Sequence, residues 1–331
     1  MKPITLIFLS SAILASLAGA QPRLNQMTLV GQYVGEGYDN YFGSGTAIGD
    51  FDDDGYGEFI IGAGGWNSNA GKNYYYDGDG SWPGTYLWTF QGDCANSFYD
   101  LSDQDVGDIN NDGIEDFGLS ESRPGLGNGR LHVFYGGADF DSLPDFSFVV
   151  DSACGITVSL DSCGDVNGDG FEDMIVMSHI GTNNSYTAQI YFGGEVLETI
   201  PDWQYFPNEQ YVYCDGLGDI NGDGYDDVII MGAVTTPPLI FFGGNSMDTI
   251  PDWMIFNIYA MFSANQTAAI GDVNDDGYND FSLCTLPSYS RSIFFGAASV
   301  DTIPDAFLLN ELGGPAYAPY LSPTATSMRM A

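Results

Sequence analysis

Oxygen-bearing side chains recur at alternate positions of a nine-residue stretch that occurs five times: DFDDDGYGE at 50–58, DINNDGIED at 108–116, DVNGDGFED at 165–173, DINGDGYDD at 219–227 and DVNDDGYND at 272–280. Positions 1, 3, 5 and 9 are Asp50, Asp52, Asp54 and Glu58 in the first copy, and Asp108, Asn110, Asp112 and Asp116 in the second. They are Asp165, Asn167, Asp169 and Asp173 in the third, Asp219, Asn221, Asp223 and Asp227 in the fourth, and Asp272, Asn274, Asp276 and Asp280 in the fifth. Such spacing directs side-chain oxygens to one centre. Glycine at position 6 permits a sharp turn, and residue 7 (Tyr56, Ile114, Phe171, Tyr225, Tyr278) offers its backbone carbonyl. Six or so hard oxygen donors on an adaptable loop suit Ca²⁺ better than Zn²⁺ or Cu²⁺, and better than Mg²⁺ with its stricter geometry. The final acid falls at position 9 rather than 12, and strand-like rather than helical segments flank the loop, which separates it from an EF-hand. The expectation is about five calcium sites.

The charge balance agrees with that chemistry. Of 331 residues, 7 are Lys or Arg and 45 are Asp or Glu, a net charge of −38 at pH 7, yet charged residues are only 16% of the chain. With 15% aromatic residues and 44 glycines, this is the composition of a folded, turn-rich protein and not of a disordered acidic tail. Nucleic acid and anionic membrane are excluded as partners, because both need clustered bases. Three or four carboxylates within a few ångströms of one another repel strongly unless a counter-ion joins them.

The elements that must hold these loops repeat with them. The loops begin at Asp50, Asp108, Asp165, Asp219 and Asp272, separated by 58, 57, 54 and 53 residues. Each is preceded by a short apolar segment ending in Gly-Asp. Each is followed by a strand with apolar residues at alternate positions: Phe59/Ile61, Phe117/Leu119, Met174/Val176, Val228/Ile230 and Phe281/Leu283. A third strand rich in Phe and Tyr closes on glycine (LHVFYGG, QIYFGG, LIFFGG, SIFFGA, and NYYYDG in the first repeat). A spacer carrying Pro144, Pro201, Pro251 or Pro304 then leads to an outer strand, where a missing N–H does little harm. Four antiparallel strands every 55 residues or so predict an all-β fold, a β-propeller of four-stranded blades, with five recognisable repeats and the possibility of a partial sixth. The segments 27–33 and 305–311 both read as outer strands, so either a terminus completes a five-bladed ring or a sixth blade begins. Trp203 and Trp253 share a repeat slot with Trp88 and Phe146, which assigns them to packing between blades. Trp66 and Trp82 have no repeat counterpart and are better placed for an exposed contact.

Tyr41-Phe42-Gly43, the Gly49-Asp50 loop and Ile61-Gly62-Ala63-Gly64 follow the order of an FG-GAP repeat. Over roughly residues 27–311 the chain resembles the FG-GAP/VCBS repeat proteins and is similar to the N-terminal propeller of integrin alpha subunits. The resemblance implies extracellular calcium binding and adhesion or ligand recognition, with a protein or glycan partner. Alternation of strand direction puts the calcium loops and the Gly-Gly turns on one face. The loops of the other face differ from repeat to repeat, as recognition loops on a rigid frame do. Tyr38, Tyr41, Trp66, Tyr99, Tyr211, Tyr213 and Tyr259 are the candidate ligand contacts there. No nucleophile motif, phosphate loop or histidine–acid constellation is evident, so no enzyme activity is expected. The alternative reading, an extracellular polysaccharide lyase or hydrolase on a propeller scaffold, would need a non-repeating Tyr, Arg or acid in the central cleft, where Arg123, Arg130 and Arg291 are the few bases available; a purely structural module of a surface assembly is the third reading.

Residues 1–20 read as a cleaved secretory signal: Lys2, the apolar run Ile4–Leu17, and Ala18-Gly19-Ala20 before Gln21. No later segment is long and apolar enough to cross a membrane. These features predict a secreted or cell-surface protein, with the propeller over 21–311 and a poorly ordered or truncated tail over 312–331. Of five cysteines, Cys94, Cys154, Cys163, Cys214 and Cys284, only Cys154 and Cys163 are near neighbours. Cys163 also falls in the slot of Ile48, Val106, Leu217 and Ile270, as a buried thiol would.

Overall fold

The computed structural model describes residues 6–10, 28–37, 41–78, 86–92, 105–121, 129–138, 140–150, 156–180, 185–206, 211–232, 237–255, 267–285, 290–299, 301 and 303–308. Among them, each sequence repeat makes one four-stranded antiparallel sheet from its own four consecutive strands. Blade 1 is β3 (Phe42–Gly49), β4 (Glu58–Ala63), β5 (Lys72–Tyr76) and β6 (Trp88–Gln91), with the short turn α1 (Trp66–Asn69) between β4 and β5. Blade 2 is β7 (Asp105–Gly107), β8 (Asp116–Glu121), β9 (Gly129–Phe134) and β10 (Phe146–Val150). Blade 3 is β11 (Ile156–Gly164), β12 (Asp173–Ile180), β13 (Ser185–Tyr191) and β14 (Trp203–Tyr205). Blade 4 is β15 (Tyr211–Gly218), β16 (Asp227–Gly232), β17 (Leu239–Phe241) and β18 (Trp253–Met254), and blade 5 is β19 (Thr267–Gly271), β20 (Asp280–Thr285), β21 (Ser290–Phe294) and β22 (Ala306–Leu308). The segment near 27–33 is a strand, β2 (Thr28–Tyr33), but it pairs with β1 (Leu6–Ser10) in a separate two-stranded sheet and supplies no blade. Within the segment read at 305–311, β22 (Ala306–Leu308) is the outer strand of blade 5.

The second strand of each blade is buried on both faces; β4 and β16 are buried at every position. Stacking explains this. Phe117 and Leu119 of blade 2 pack on Phe51, Ile60 and Tyr75 of blade 1. Met174 and Val176 meet Val106, Leu131 and Val133 of blade 2, and Val228 and Ile230 meet Ile175 and Met177 of blade 3. Phe281 and Leu283 close on Ile229 and Met231 of blade 4. The alternating positions therefore face the preceding blade, and the residues between them face the following one. The alternation read from the sequence is one half of a strand covered on both sides.

The outer strands are fixed by the proline spacers. Asp145, Asp202, Asp252 and Asp305, each next to its proline, accept hydrogen bonds from the N–H groups of Tyr135, Phe192, Phe242 and Phe295 at the ends of the third strands, at 2.8, 2.9, 2.9 and 2.8 Å. Trp203 does pack between blades: its ring lies 5.1 Å from Phe241 of blade 4, and its indole N–H donates to the Asp248 carbonyl at 2.8 Å. Trp88 likewise stacks on Tyr75 and on Phe134 of blade 2. Cys163 is a buried reduced thiol whose Sγ donates to the Asp173 carbonyl. No disulfide is formed by Cys163, because it occupies an apolar core slot beside Val166; Cys94 and Cys154 lie outside the described residues.

Candidate metal centres

Each nine-residue stretch lies between the first and second strands of its blade, and all five fold alike. The carboxylate at position 1 accepts the N–H of residue 5 on one oxygen and that of residue 6 on the other. In the third loop these are Asp169 N–H and Gly170 N–H to Asp165, at 3.0 and 2.8 Å. Position 3 accepts the N–H of residue 5, and position 5 that of residue 7: Asp169 N–H to Asn167 at 2.7 Å and Phe171 N–H to Asp169 at 3.0 Å. The same four bonds form in the first loop, the second, the fourth and the fifth. Side chains 1, 3 and 5 are thereby tied to one side of a tight turn.

The glycine at position 6 has a positive φ in every loop, from 86° at Gly55 to 94° at Gly170 and Gly277. A Cβ added there would meet nothing within 4 Å, so backbone conformation alone demands the glycine. Position 4 is left-handed too: glycine in two loops (Gly168, Gly222), and Asp53, Asn111 and Asp275, types that tolerate the region, in the others.

Position 9 behaves differently from its neighbours. Asp116, Asp173, Asp227 and Asp280 are buried, and each uses both oxygens on backbone donors. One oxygen takes the N–H of residue 2 (Ile109, Val166, Ile220, Val273). The other takes the N–H of the glycine that ends the third strand (Gly136, Gly193, Gly243, Gly296). This acid ties loop, second strand and third strand together. In the first loop Glu58 takes the Phe51 N–H at 2.7 Å on Oε2, while Oε1 is buried with no hydrogen-bond partner. Ligand oxygens of Asp50, Asp52, Asp54 and Glu58 all lie within 4.8 Å of one another. Among the described residues, this is the one group of three or more acidic, His or Cys side chains gathered so closely.

Burial pushes the Glu58 carboxyl up to about 7, and the Asp52 and Asp50 charges add to the rise. Burial likewise raises Asp116 to about 7 and Asp173 and Asp227 to about 8, against the opposing backbone hydrogen bonds. Asp280 rises and exposed Asp272 falls, the latter through the Gly277 N–H first. An ionised acid at position 9 is thus costly without a cation nearby. The all-oxygen donors, four convergent carboxylates and an orphaned buried oxygen fit a hard divalent ion at loop 1. In loops 3 to 5 the position-3 amide donates its Nδ2–H to the position-5 carboxylate (Asn167 to Asp169 at 3.0 Å, Asn221 to Asp223 at 3.1 Å, Asn274 to Asp276 at 2.9 Å). Those loops share the turn, with one carboxylate fewer.

A role that the spacing does not reveal belongs to position 8. In blades 3, 4 and 5 its N–H donates to the position-1 carbonyl of the preceding blade: Glu172 to Asp108 at 3.3 Å, Asp226 to Asp165 at 3.1 Å and Asn279 to Asp219 at 3.0 Å. The Asp226 side chain returns the bond, accepting the Asp165 N–H at 2.9 Å. One residue beyond the glycine turn, Gly137, Gly194, Gly244 and Ala297 donate to the position-2 carbonyls Phe51, Ile109, Val166 and Ile220 of the preceding blade. A belt of main-chain bonds therefore joins successive loops. A sequence counterpart exists: position 8 is acidic or Asn in repeats 2 to 5 and glycine (Gly57) in the first.

The candidate recognition residues fall only in part among the described residues. Tyr38, Tyr99 and Tyr259 lie outside the described residues, as do Trp82 and Arg123, and the Tyr211 side chain is likewise outside them. Tyr213 is partly buried against the core of blades 4 and 5. Tyr41 is exposed beside Phe42, and Trp66 packs in part on the blade 1 cluster. Arg291 is buried within blade 5, its Nη1 donating to Ser282 at 2.8 Å, and Arg130 sits on β9.

Comparison with known proteins bears on the family. The chain is 26% identical over 211 residues to integrin alpha-5 of Xenopus laevis, a match covering 58% of this chain and 20% of that protein. It is 29% identical over 140 residues to integrin alpha-6 of Gallus gallus, covering 39% of this chain and 13% of that one. It thus spans about a fifth or less of the length of these curated relatives. No family model matches. The Dos1 propeller structure superposes with a TM-score of 0.50 at 10% identity, covering 81% of this chain and 59% of that chain, a likeness of fold alone. The chain is an all-β propeller similar to integrin alpha subunits.

Proposed function

We propose that the chain is an exported, calcium-binding β-propeller that acts as an adhesion or ligand-recognition module at or outside the cell surface. Calcium is supported above all by one observation: four convergent carboxylates in loop 1 with the buried Glu58 Oε1 left unpartnered. When bound, the cation neutralises the clustered carboxylates and so holds the turn. The ligating groups are Asp50, Asp52, Asp54 and Glu58 with the Tyr56 carbonyl, and the corresponding residues of the other four loops. Because position 9 also anchors the third strand in blades 2 to 5, a cation there stabilises a whole blade and not merely a turn. The recognition role rests on similarity to integrin alpha subunits and on the contrast between repeated loops at one end of the blades and divergent connections at the other. Residues 1–20 act as the export signal, whose removal detaches β1 from β2, and the partner is an extracellular protein or glycan.

An array of extracellular-matrix proteins and glycans, probed with the chain in 2 mM calcium and again in EDTA (both roughly chosen to saturate or strip sites of the extracellular affinity class), tests this reading. Calcium-dependent retention on a protein or glycan class is the expected result. Equal, negligible retention under both conditions on every surface would overturn the recognition role and leave a structural module.

A further inference from the structure

Seven non-glycine residues among those described adopt left-handed backbone. Three are position 4 of the acidic loops. The other four, Tyr41 (φ 51°), Asn67 (φ 47°), Ser68 (φ 62°) and Asn69 (φ 63°), all belong to blade 1, around the connection between β4 and β5. That connection sits at the far end of β4 from the acidic loop, roughly 20 Å away at ~3.3 Å per residue. A bulky tyrosine and three successive non-glycine residues in this region are uncommon, and such outliers occur at binding sites as well as in turns. The turn is closed by Gly71 N–H donating to the Trp66 carbonyl at 3.2 Å and Ala70 N–H to that of Asn67 at 3.4 Å.

Around it lies a polar–aromatic cluster that no repeat reproduces. The Lys72 ammonium is 2.8 Å from Glu36 Oε1 and lies 5.3, 4.6 and 5.8 Å from the ring centres of Trp66, Tyr74 and Tyr86. The Trp66 indole N–H donates to Glu36 Oε2 at 3.2 Å. Lys72 is buried, whereas the Glu36 side chain is 47% exposed, Tyr86 43% and Tyr41 62%. Tyr86 stands edge-on to Tyr74 at 5.2 Å, and Phe42, next to Tyr41, is edge-on to the same ring at 5.3 Å. The carboxylate is thus fixed by two donors while facing water, and the aromatic groups beside it are immobilised. Asn67 and Ser68 project from the turn as exposed polar side chains.

We infer that this cluster is a binding subsite for a neutral sugar ring, whose C–H face stacks on the exposed part of Trp66 and Tyr86 while its hydroxyls donate to Glu36. Aromatic rings with fixed polar groups at their edge suit a ligand that is apolar on one face and hydroxylated at its rim. The charge selects a neutral one. The single cation of the cluster is matched by Glu36, and the chain carries −38, so an anionic polysaccharide is repelled. Pre-ordering by Lys72 and the strained turn reduces the ordering cost of binding. The inference rests on the recognition reading above and names its ligand class.

Isothermal titration of the full chain in calcium with cellohexaose, xylohexaose and mannohexaose, and with polygalacturonate as the acidic comparison, tests it. Binding of at least one neutral hexasaccharide and none of polygalacturonate is expected. Trp66→Ala, Tyr86→Ser and Glu36→Gln should each weaken that binding by about tenfold, the loss of one stacking or hydrogen-bonding contact. The calcium-dependent rise in melting temperature, read in every variant, reports an intact fold; Tyr86→Ser changes a partly exposed ring that takes no part in the ion pair, and keeps the test valid if Trp66→Ala, or Glu36→Gln with its buried partner Lys72, fails to fold. Neutral-sugar binding that survives all three substitutions overturns the subsite. So does the absence of sugar binding in a chain that still captures a matrix protein on the array, an outcome that leaves the recognition role standing. Absence of both overturns the two readings together.

Discussion

The acid at position 9 sets the chemistry of each loop. Its burial raises its pKa, and the sign of the consequence follows. A carboxyl whose pKa is higher folded than unfolded contributes stability below its unfolded value, near 4, and loses it as pH climbs through the folded value. With Glu58 and Asp116 at about 7 and Asp173 and Asp227 at about 8, the metal-free fold should weaken steadily from roughly pH 4 to pH 8. Calcium requires the ionised form, so the gain in melting temperature on adding calcium should grow over the same window. Scanning fluorimetry in EDTA and in calcium at successive pH values checks this; a gain independent of pH would contradict it. At the first loop, Asp52→Asn turns the side-chain set toward that of the other loops and should lower calcium affinity by about tenfold, read by calorimetry. Gly170→Ala puts a side chain at φ 94° with open space around it, so the expected cost is about 1–2 kcal/mol of backbone strain alone, measured by urea unfolding. The ligand spacing was legible residue by residue because the loop is local. The second duty of position 9, anchoring the third strand some 20 residues on, was not, since nothing in the motif states what a carboxylate does when it is not ligating.

At the scale of the element, the strands were legible from three features: the Gly-Asp that ends the first strand, the apolar alternation of the second and the Pro-Asp before the outer one. Their physical reasons are visible. The glycine before Asp108, Asp165 and Asp219 sits in a bulge at positive φ, under the position-8 side chain of the next blade; a Cβ on Gly164 would strike the Asp226 carboxylate. What stayed hidden was the pairing across blades, because the motif assigns position 8 no role and its partners lie in another repeat, 61 residues away for Asp226 and Asp165. Asp226→Ala should therefore cost about 1–2 kcal/mol through the lost bond to the Asp165 N–H, with calcium binding at the fourth loop retained. A matching loss of calcium would move Asp226 into the ligand shell. Trp203→Ala should cost about 3–5 kcal/mol, since it removes a ring packed on Phe241 and an indole donor to Asp248.

Across the whole molecule, four inter-blade cores join the five blades in series, and the loops are linked by the main-chain belt. Position 2 reports where that series is covered. Phe51, Ile109, Val166 and Ile220 are buried beneath the next blade, whereas their counterpart Val273 in blade 5 is 42% exposed. Val166→Ala should accordingly cost about 1–3 kcal/mol by denaturant unfolding and Val273→Ala less than half as much. Equal costs would mean that blade 5 is covered as fully as the others. The repeat period made five repeats readable and left the blade number open between five and a partial sixth; the order in which blades meet depends on contacts between residues some 55 positions apart, which no local pattern encodes. Charge acts on this scale as well: 45 acids against 7 bases must be held in stacked sheets, and divalent cations in the recurring turns are the proposed means. Equilibrium dialysis of the metal-stripped chain against millimolar calcium, followed by elemental analysis of the folded protein, tests that claim most directly. The prediction is about five calcium ions per chain, with the ion of loop 1 lost in Asp50→Asn; a folded chain that retains no calcium would contradict it.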